Sequence, residues 1–96
     1  MADDNWLKFV DFCAKERDVN RLAQFLDVFL THEERQSIAT RLCIVKALLA
    51  EELTQREIAQ QFNVSIAKIT RGSNELKRLT AKERLALKKL LFINKS

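Results

Sequence analysis

The side chains of this sequence that could do chemistry are mostly cationic, and they gather toward its end. Residues 1–34 carry 4 basic and 8 acidic groups, residues 35–65 carry 4 and 3, and residues 66–96 carry 9 and 2. The formal net charge of +4 therefore conceals a gradient from −4 through +1 to +7. Guanidinium and ammonium groups concentrated in one part of a small protein suit a polyanionic partner, nucleic acid above all. The plainer explanation is a solvated helix surface.

Other chemistries lack their residues. A single histidine, His32, falls in the first turn of an expected helix, with no convergent acid pair or phosphate loop, so no catalytic constellation exists and an enzyme is not expected. Cys13 and Cys43 show neither a Cys-x-x-Cys spacing nor a histidine partner. They read as small buried thiols rather than metal ligands, and nothing requires a disulfide between them. No apolar run is long enough to span a bilayer, and the acidic start Met-Ala-Asp-Asp is unlike a secretory signal, so the expected location is cytoplasmic.

The elements that must position these cations are helical. The chain of 96 residues has no proline, one glycine and 47% hydrophobic residues, too apolar for disorder and almost free of the residues that punctuate sheets. Length predicts one small domain over 1–96, for which self-association would add useful burial. Three capping boxes, Thr31-x-x-Glu34, Thr54-x-x-Glu57 and Thr80-x-x-Glu83, mark helix starts. Trp6, Phe9, Val10 and Cys13 share one helix face, and Leu22, Phe25, Leu26 and Phe29 share another after the polar break Glu16-Arg17-Asp18. The stripe Ile38, Leu42, Val45 and Leu49 continues a third helix to about Glu51, and Leu87, Leu90 and Leu91 line a last one after Thr80. Two shorter helices, roughly 55–62 and 66–78, flank Asn63-Val64-Ser65, where Asn63 tolerates a left-handed turn and Ser65 can cap the second of the pair. The expected fold class is all-α, with six helices.

The segment 54–78 reads as a helix-turn-helix. Ile58, Phe62, Val64 and Ile69 fall where the two helices pack, and small Ala59 permits a close crossing. The polar positions then face outward. A recognition helix puts its N-terminal residues into the major groove, so Ile66, Ala67, Lys68 and Thr70 are the candidates for reading bases, with Ser65 among the outward residues suited to DNA contact. Gln55, Arg56, Lys77 and Arg78 are the candidates for holding phosphates. A helical hairpin with a solvated polar face would show much of the same pattern.

Specific residues narrow the choice. Leu30-Thr31-x-x-Glu34-Arg35, Thr40-Arg41-x-x-Ile44-Val45-x-x-Leu48-Leu49, Gln55-Arg56-Glu57 and above all Ile66-Ala67-x-Ile69-Thr70-Arg71-Gly72-Ser73-Asn74 resemble the tryptophan repressor family. The resemblance runs without gaps from about Leu30 to Lys77 and continues more loosely through Trp6-Leu7-x-Phe9-Val10-Asp11. It gives a use for Gly72, which in mid-helix costs about 1 kcal/mol against alanine. In this family a bound amino acid approaches the backbone there.

The resemblance implies L-tryptophan as ligand, no metal, and Thr31, Arg41, Arg71 and Gly72 as residues that hold it. A zwitterion entering a pocket needs a partner for each charge. Arg71 and the Thr31 hydroxyl suit the carboxylate. The carbonyls of Val28 and Leu30, at the negative end of the second helix, suit the ammonium. The guanidinium planes of Arg41 and Arg71 would sandwich the indole, a role lysine fills less well. Sequence alone does not pair Arg41 with Arg71. Family members commonly have serine where this chain has Glu75, which either binds the ammonium or neutralises Arg71. Ala59 and Lys68 also depart from the lysine and threonine familiar at those positions, which bears on the operator sequence.

The family further implies an intertwined homodimer in which tryptophan sets the recognition helices near one DNA turn apart, roughly 34 Å, and so favours binding to a palindromic operator. Bound repressor would block transcription of tryptophan-related genes. Two other readings stay open at this point. One is a helix-turn-helix protein indifferent to tryptophan; the other is a helical module whose basic third binds an acidic protein, without preference for a palindromic duplex.

Overall fold

All three expected capping boxes close. The backbone N–H of Thr31, Thr54 and Thr80 donates to the carboxylate of Glu34, Glu57 and Glu83 at 2.9, 2.8 and 2.8 Å. Each threonine hydroxyl in turn accepts from the glutamate N–H at 3.1 Å. In the computed structural model, which describes residues 2–93, these boxes open three of six helices. The helices are α1 (Ala2–Lys15), α2 (Val19–Phe29), α3 (His32–Ala50), α4 (Gln55–Phe62), α5 (Ile66–Lys77) and α6 (Ala81–Phe92), with no strand among the described residues. Met1 of the acidic start and Lys95 of the basic third lie outside the described residues.

The chain divides into two compact units, 1–35 and 36–96. In the first, Glu16 organises the break between α1 and α2. Its carboxylate accepts from Arg21 Nε and Nη2 at 2.7 and 2.8 Å and from the Asp18 N–H at 3.1 Å, while Asp18 caps α2 by accepting from the Arg21 N–H at 3.0 Å. These bonds favour the charged carboxylate, and Glu16 titrates at about 2, first because of Arg21 and then because of the Asp18 amide. The unit's apolar contacts are aromatic: Phe12 meets Phe29 at 5.3 Å and Phe25 at 6.1 Å between ring centroids, and Phe9 meets Phe29 at 5.6 Å.

The second unit has an aliphatic core. Ile58 and Ile69 are completely buried, joined by Ile44 and Ala59, with Ala47, Leu48, Phe62 and Val64 packed around them. Ala59 is buried in this core, and its small side chain suits a close crossing of α4 and α5. Asn63 ends α4 in the left-handed conformation (φ 54°, ψ 49°), and the Ser65 hydroxyl accepts from the Lys68 N–H at 3.3 Å to cap α5. The helix-turn-helix therefore forms as its sequence predicts.

The faces of two helices differ from expectation. On α3, Ile38 and Leu42 are exposed, whereas Ile44 and Leu49 are buried. Apolar residues surround this helix on every side, so spacing could not say which of them meet the core. Leu90 of α6 is likewise exposed, while Leu87 and Leu91 are half-buried. The expectation of two buried thiols is also corrected: both cysteines are free, but Cys13 is only half-buried and Cys43, on α3, is exposed.

Candidate ligand pocket and DNA-reading helix

The helix-turn-helix presents every one of its candidate contact residues to solvent. Gln55 and Arg56 at the start of α4, Ser65, Ile66, Ala67, Lys68 and Thr70 on the first half of α5, and Lys77 and Arg78 at its end are all exposed. Thr70 also braces the motif, since its hydroxyl donates to Gln55 Oε1 at 3.2 Å. With its oxygen occupied, the Gln55 carboxamide keeps its N–H donors for an anion such as a phosphate. Ser65 has a structural duty as well, because its hydroxyl is the α5 cap.

Against the other side of α5 lies a pocket of about 920 Å³. Its apolar wall comes from Ile44, Val45, Phe62, Val64, Leu76, Leu79 and Leu87, and Gln36, Ser37, Thr40 and Asn63 add polar groups. Its charged residues are Arg41 from α3 and Lys68, Arg71 and Glu75 from α5. The structure thus brings Arg41 and Arg71 to one cavity, which their separation in sequence could not establish. A large apolar wall with a few convergent charges is the usual make-up of a small-molecule site. Here it would accept an anionic group beside the arginines and a flat apolar body between them and the wall.

Gly72 lines the same pocket. A methyl group added there would meet Leu48 Cδ1 at 3.5 Å and Ile44 Cγ2 at 3.7 Å, both ordinary contact distances. The chain's own packing therefore has room for alanine, and the glycine's helix-propensity cost is not offset by relief of an internal clash. A pocket occupant lying against the backbone would supply a reason.

Glu75 lines the pocket and also has a partner outside it. Its carboxylate forms an ion pair with Arg78 Nη1 at 3.5 Å, and among the described residues none with Arg71. The remaining ligand candidates belong to the first unit. Among the described residues no backbone N–H outside the helices donates to the carbonyl of Val28 or Leu30. The Thr31 hydroxyl accepts from Glu34 within its capping box and keeps its own proton to donate.

Two features escaped sequence reasoning. Lys68, expected at the DNA, also lines the pocket. Arg84 of α6 caps the end of the recognition helix, donating through Nη1 to the carbonyl of Leu79 at 2.8 Å and of Leu76 at 3.4 Å. A cation shortly after a helix C-terminus is the signal that could have found it.

Fold and site together define a helix-turn-helix DNA-binding protein with a ligand pocket built against its recognition helix. The family model described as Trp repressor protein matches residues 4–91. A Trp operon repressor homolog from Chlamydia caviae is 50% identical over 88 residues, covering 92% of this chain and 87% of the relative. Homologs of the same name from Chlamydia trachomatis serovar D and Vibrio parahaemolyticus are 47% and 40% identical, covering 80% and 91% of this chain and 82% and 84% of the relatives. The chain belongs to the Trp repressor family, a family of regulatory DNA-binding proteins.

Proposed function

We propose that this protein is a tryptophan-dependent transcriptional repressor. L-Tryptophan is the corepressor; it occupies the pocket beside α5 and favours the arrangement of the recognition helices that binds a palindromic operator, so that the bound protein blocks transcription of tryptophan-related genes. The observation that carries the reading is that α5 serves both surfaces. Lys68, Arg71, Gly72 and Glu75 line the pocket from one side of a helix whose exposed Ile66, Ala67 and Thr70 are the candidates for base contact. A ligand in the pocket touches the DNA-reading element directly, and can shift its population of binding-competent orientations without any longer relay.

In this reading Arg71 takes the ligand carboxylate, Arg41 and Arg71 flank the indole and Glu75 takes the ammonium; Thr31 as a further carboxylate partner and the carbonyls of Val28 and Leu30 as further ammonium partners rest on the family resemblance alone. Ser65, Ile66, Ala67, Lys68 and Thr70 face the major groove, with Gln55, Arg56, Lys77 and Arg78 on phosphates. The active species is a homodimer over 1–96, whose two-fold symmetry matches the palindrome. It works in the cytoplasm, where the operator is; no described helix is long and apolar enough to cross a membrane.

Selection of bound duplexes from a random pool, with and without L-tryptophan, tests this reading. The expected result is enrichment of a palindrome whose half-sites lie about one helical turn apart, and only when tryptophan is present. Equal enrichment without tryptophan would leave a DNA-binding protein indifferent to it. Absence of any sequence preference would overturn operator binding itself.

A further inference from the structure

Glu75 occupies a position between the two surfaces of α5. It is the one carboxylate among the residues lining the pocket, where the other charged groups are Arg41, Lys68 and Arg71. At the same time its Oε1 lies 3.5 Å from Nη1 of Arg78, an exposed residue outside the pocket lining, at the end of the helix. Arg71 stands one turn before Glu75, at helical ion-pair spacing, yet the carboxylate is engaged on the Arg78 side instead. One carboxylate is thus within reach of two cations: an ammonium entering the pocket and the guanidinium beside it.

We propose that Glu75 exchanges partners, so that an ammonium-bearing ligand in the pocket draws the carboxylate away from Arg78 and frees that guanidinium for an anion outside. The inference rests on the tryptophan reading above and adds to it the residue through which recognition of the amino group is felt at the exterior of the helix. Linkage makes the effect reciprocal: whatever engages Arg78 from outside leaves Glu75 to the ammonium and tightens the ligand, and the ligand strengthens the outer contact by the same factor. A ligand with the same ring and carboxylate but no amino group fills the pocket without moving Arg78. The device is small, because exposed ion pairs shift an equilibrium only about twofold to threefold.

Calorimetric titration without DNA isolates the exchange. L-Tryptophan and its deaminated counterpart indole-3-propionate are titrated into the unsubstituted protein, Arg78→Gln, Glu75→Gln and the double variant, with helix content checked by circular dichroism. Arg78→Gln, which releases Glu75 permanently, is expected to tighten tryptophan about twofold to threefold and to leave indole-3-propionate unchanged. In the Glu75→Gln background the same substitution should do nothing to either ligand. Unchanged or weaker tryptophan binding by Arg78→Gln would overturn the exchange while leaving the pocket assignment standing, and so would an equal gain in the Glu75→Gln background. No saturable heat from either ligand with the unsubstituted protein would remove the ligand reading itself, and the exchange with it.

Discussion

The helix-turn-helix and the terminal helices use similar apolar residues to opposite ends. In α4 and α5 the large aliphatic side chains other than Ile66 turn inward, and Ile58 and Ile69 expose nothing. In α1, α2 and α6 several large apolar side chains stand outward: Trp6 is 64% exposed, Val28 79% and Leu90 70%. Scattered exposed hydrophobics are ordinary, but so many on three helices are not. The contrast separates a reading head whose apolar side chains pack into a core shared with α3 from helices whose faces ask to be covered, as the proposed homodimer would do.

Two substitutions sharpen that contrast most strongly. Ile69→Ala should cost about 2–5 kcal/mol of stability in denaturant unfolding, since it empties a fully enclosed site. Leu90→Glu should have little such effect within a chain but should convert a dimer to monomer in analytical ultracentrifugation and make thermal stability strongly concentration-dependent. A Leu90→Glu protein that remained dimeric would show that this face of α6 is free after all.

A smaller effect distinguishes structural from ligand-driven demands inside the reading head. Gly72→Ala should raise thermal stability by up to about 1 kcal/mol, because the helix gains a better former and the methyl meets Leu48 and Ile44 at ordinary distances. The same variant should bind tryptophan at least tenfold more weakly in calorimetry. Loss of stability instead would mean that the glycine serves packing.

The smallest effect belongs to the first unit. Glu16 is held at about 2, against an ordinary 4.5, by Arg21 and the Asp18 amide. A carboxyl with a lowered folded-state pKa stabilises the protein fully above its unfolded value and loses that contribution as pH falls from about 4.5 toward 2. Thermal melts of Glu16→Gln should therefore fall below those of the unsubstituted protein at neutral pH and converge with them near the acid end. Because the pair is exposed, added salt should narrow the gap.

Helix starts were legible because capping chemistry is local: a threonine and a glutamate three residues on satisfy each other's backbone wherever the helix goes. The helix-turn-helix was legible for the same reason, with Asn63 and Ser65 meeting the turn's demands and Ile58 and Ile69 marking its inner faces. The burial pattern of α3 was not, because Ile38, Leu42, Ile44 and Leu49 ring the helix and only tertiary contacts select among them. At the site, Arg71 and Gly72 carried a signal through their resemblance to a family, whereas the meeting of Arg41 with Arg71 needed the fold. Lys68 in the pocket wall and the Arg84 cap on α5 depend on side-chain direction and on the placing of α6, which no spacing encodes.

The central claim is that the pocket beside α5 holds L-tryptophan, and calorimetric titration of the purified protein tests it without any knowledge of the operator. The account predicts saturable binding near one ligand per chain, abolished by Arg71→Ala at unchanged helix content. No heat at millimolar tryptophan, or binding that survives Arg71→Ala intact, would contradict it.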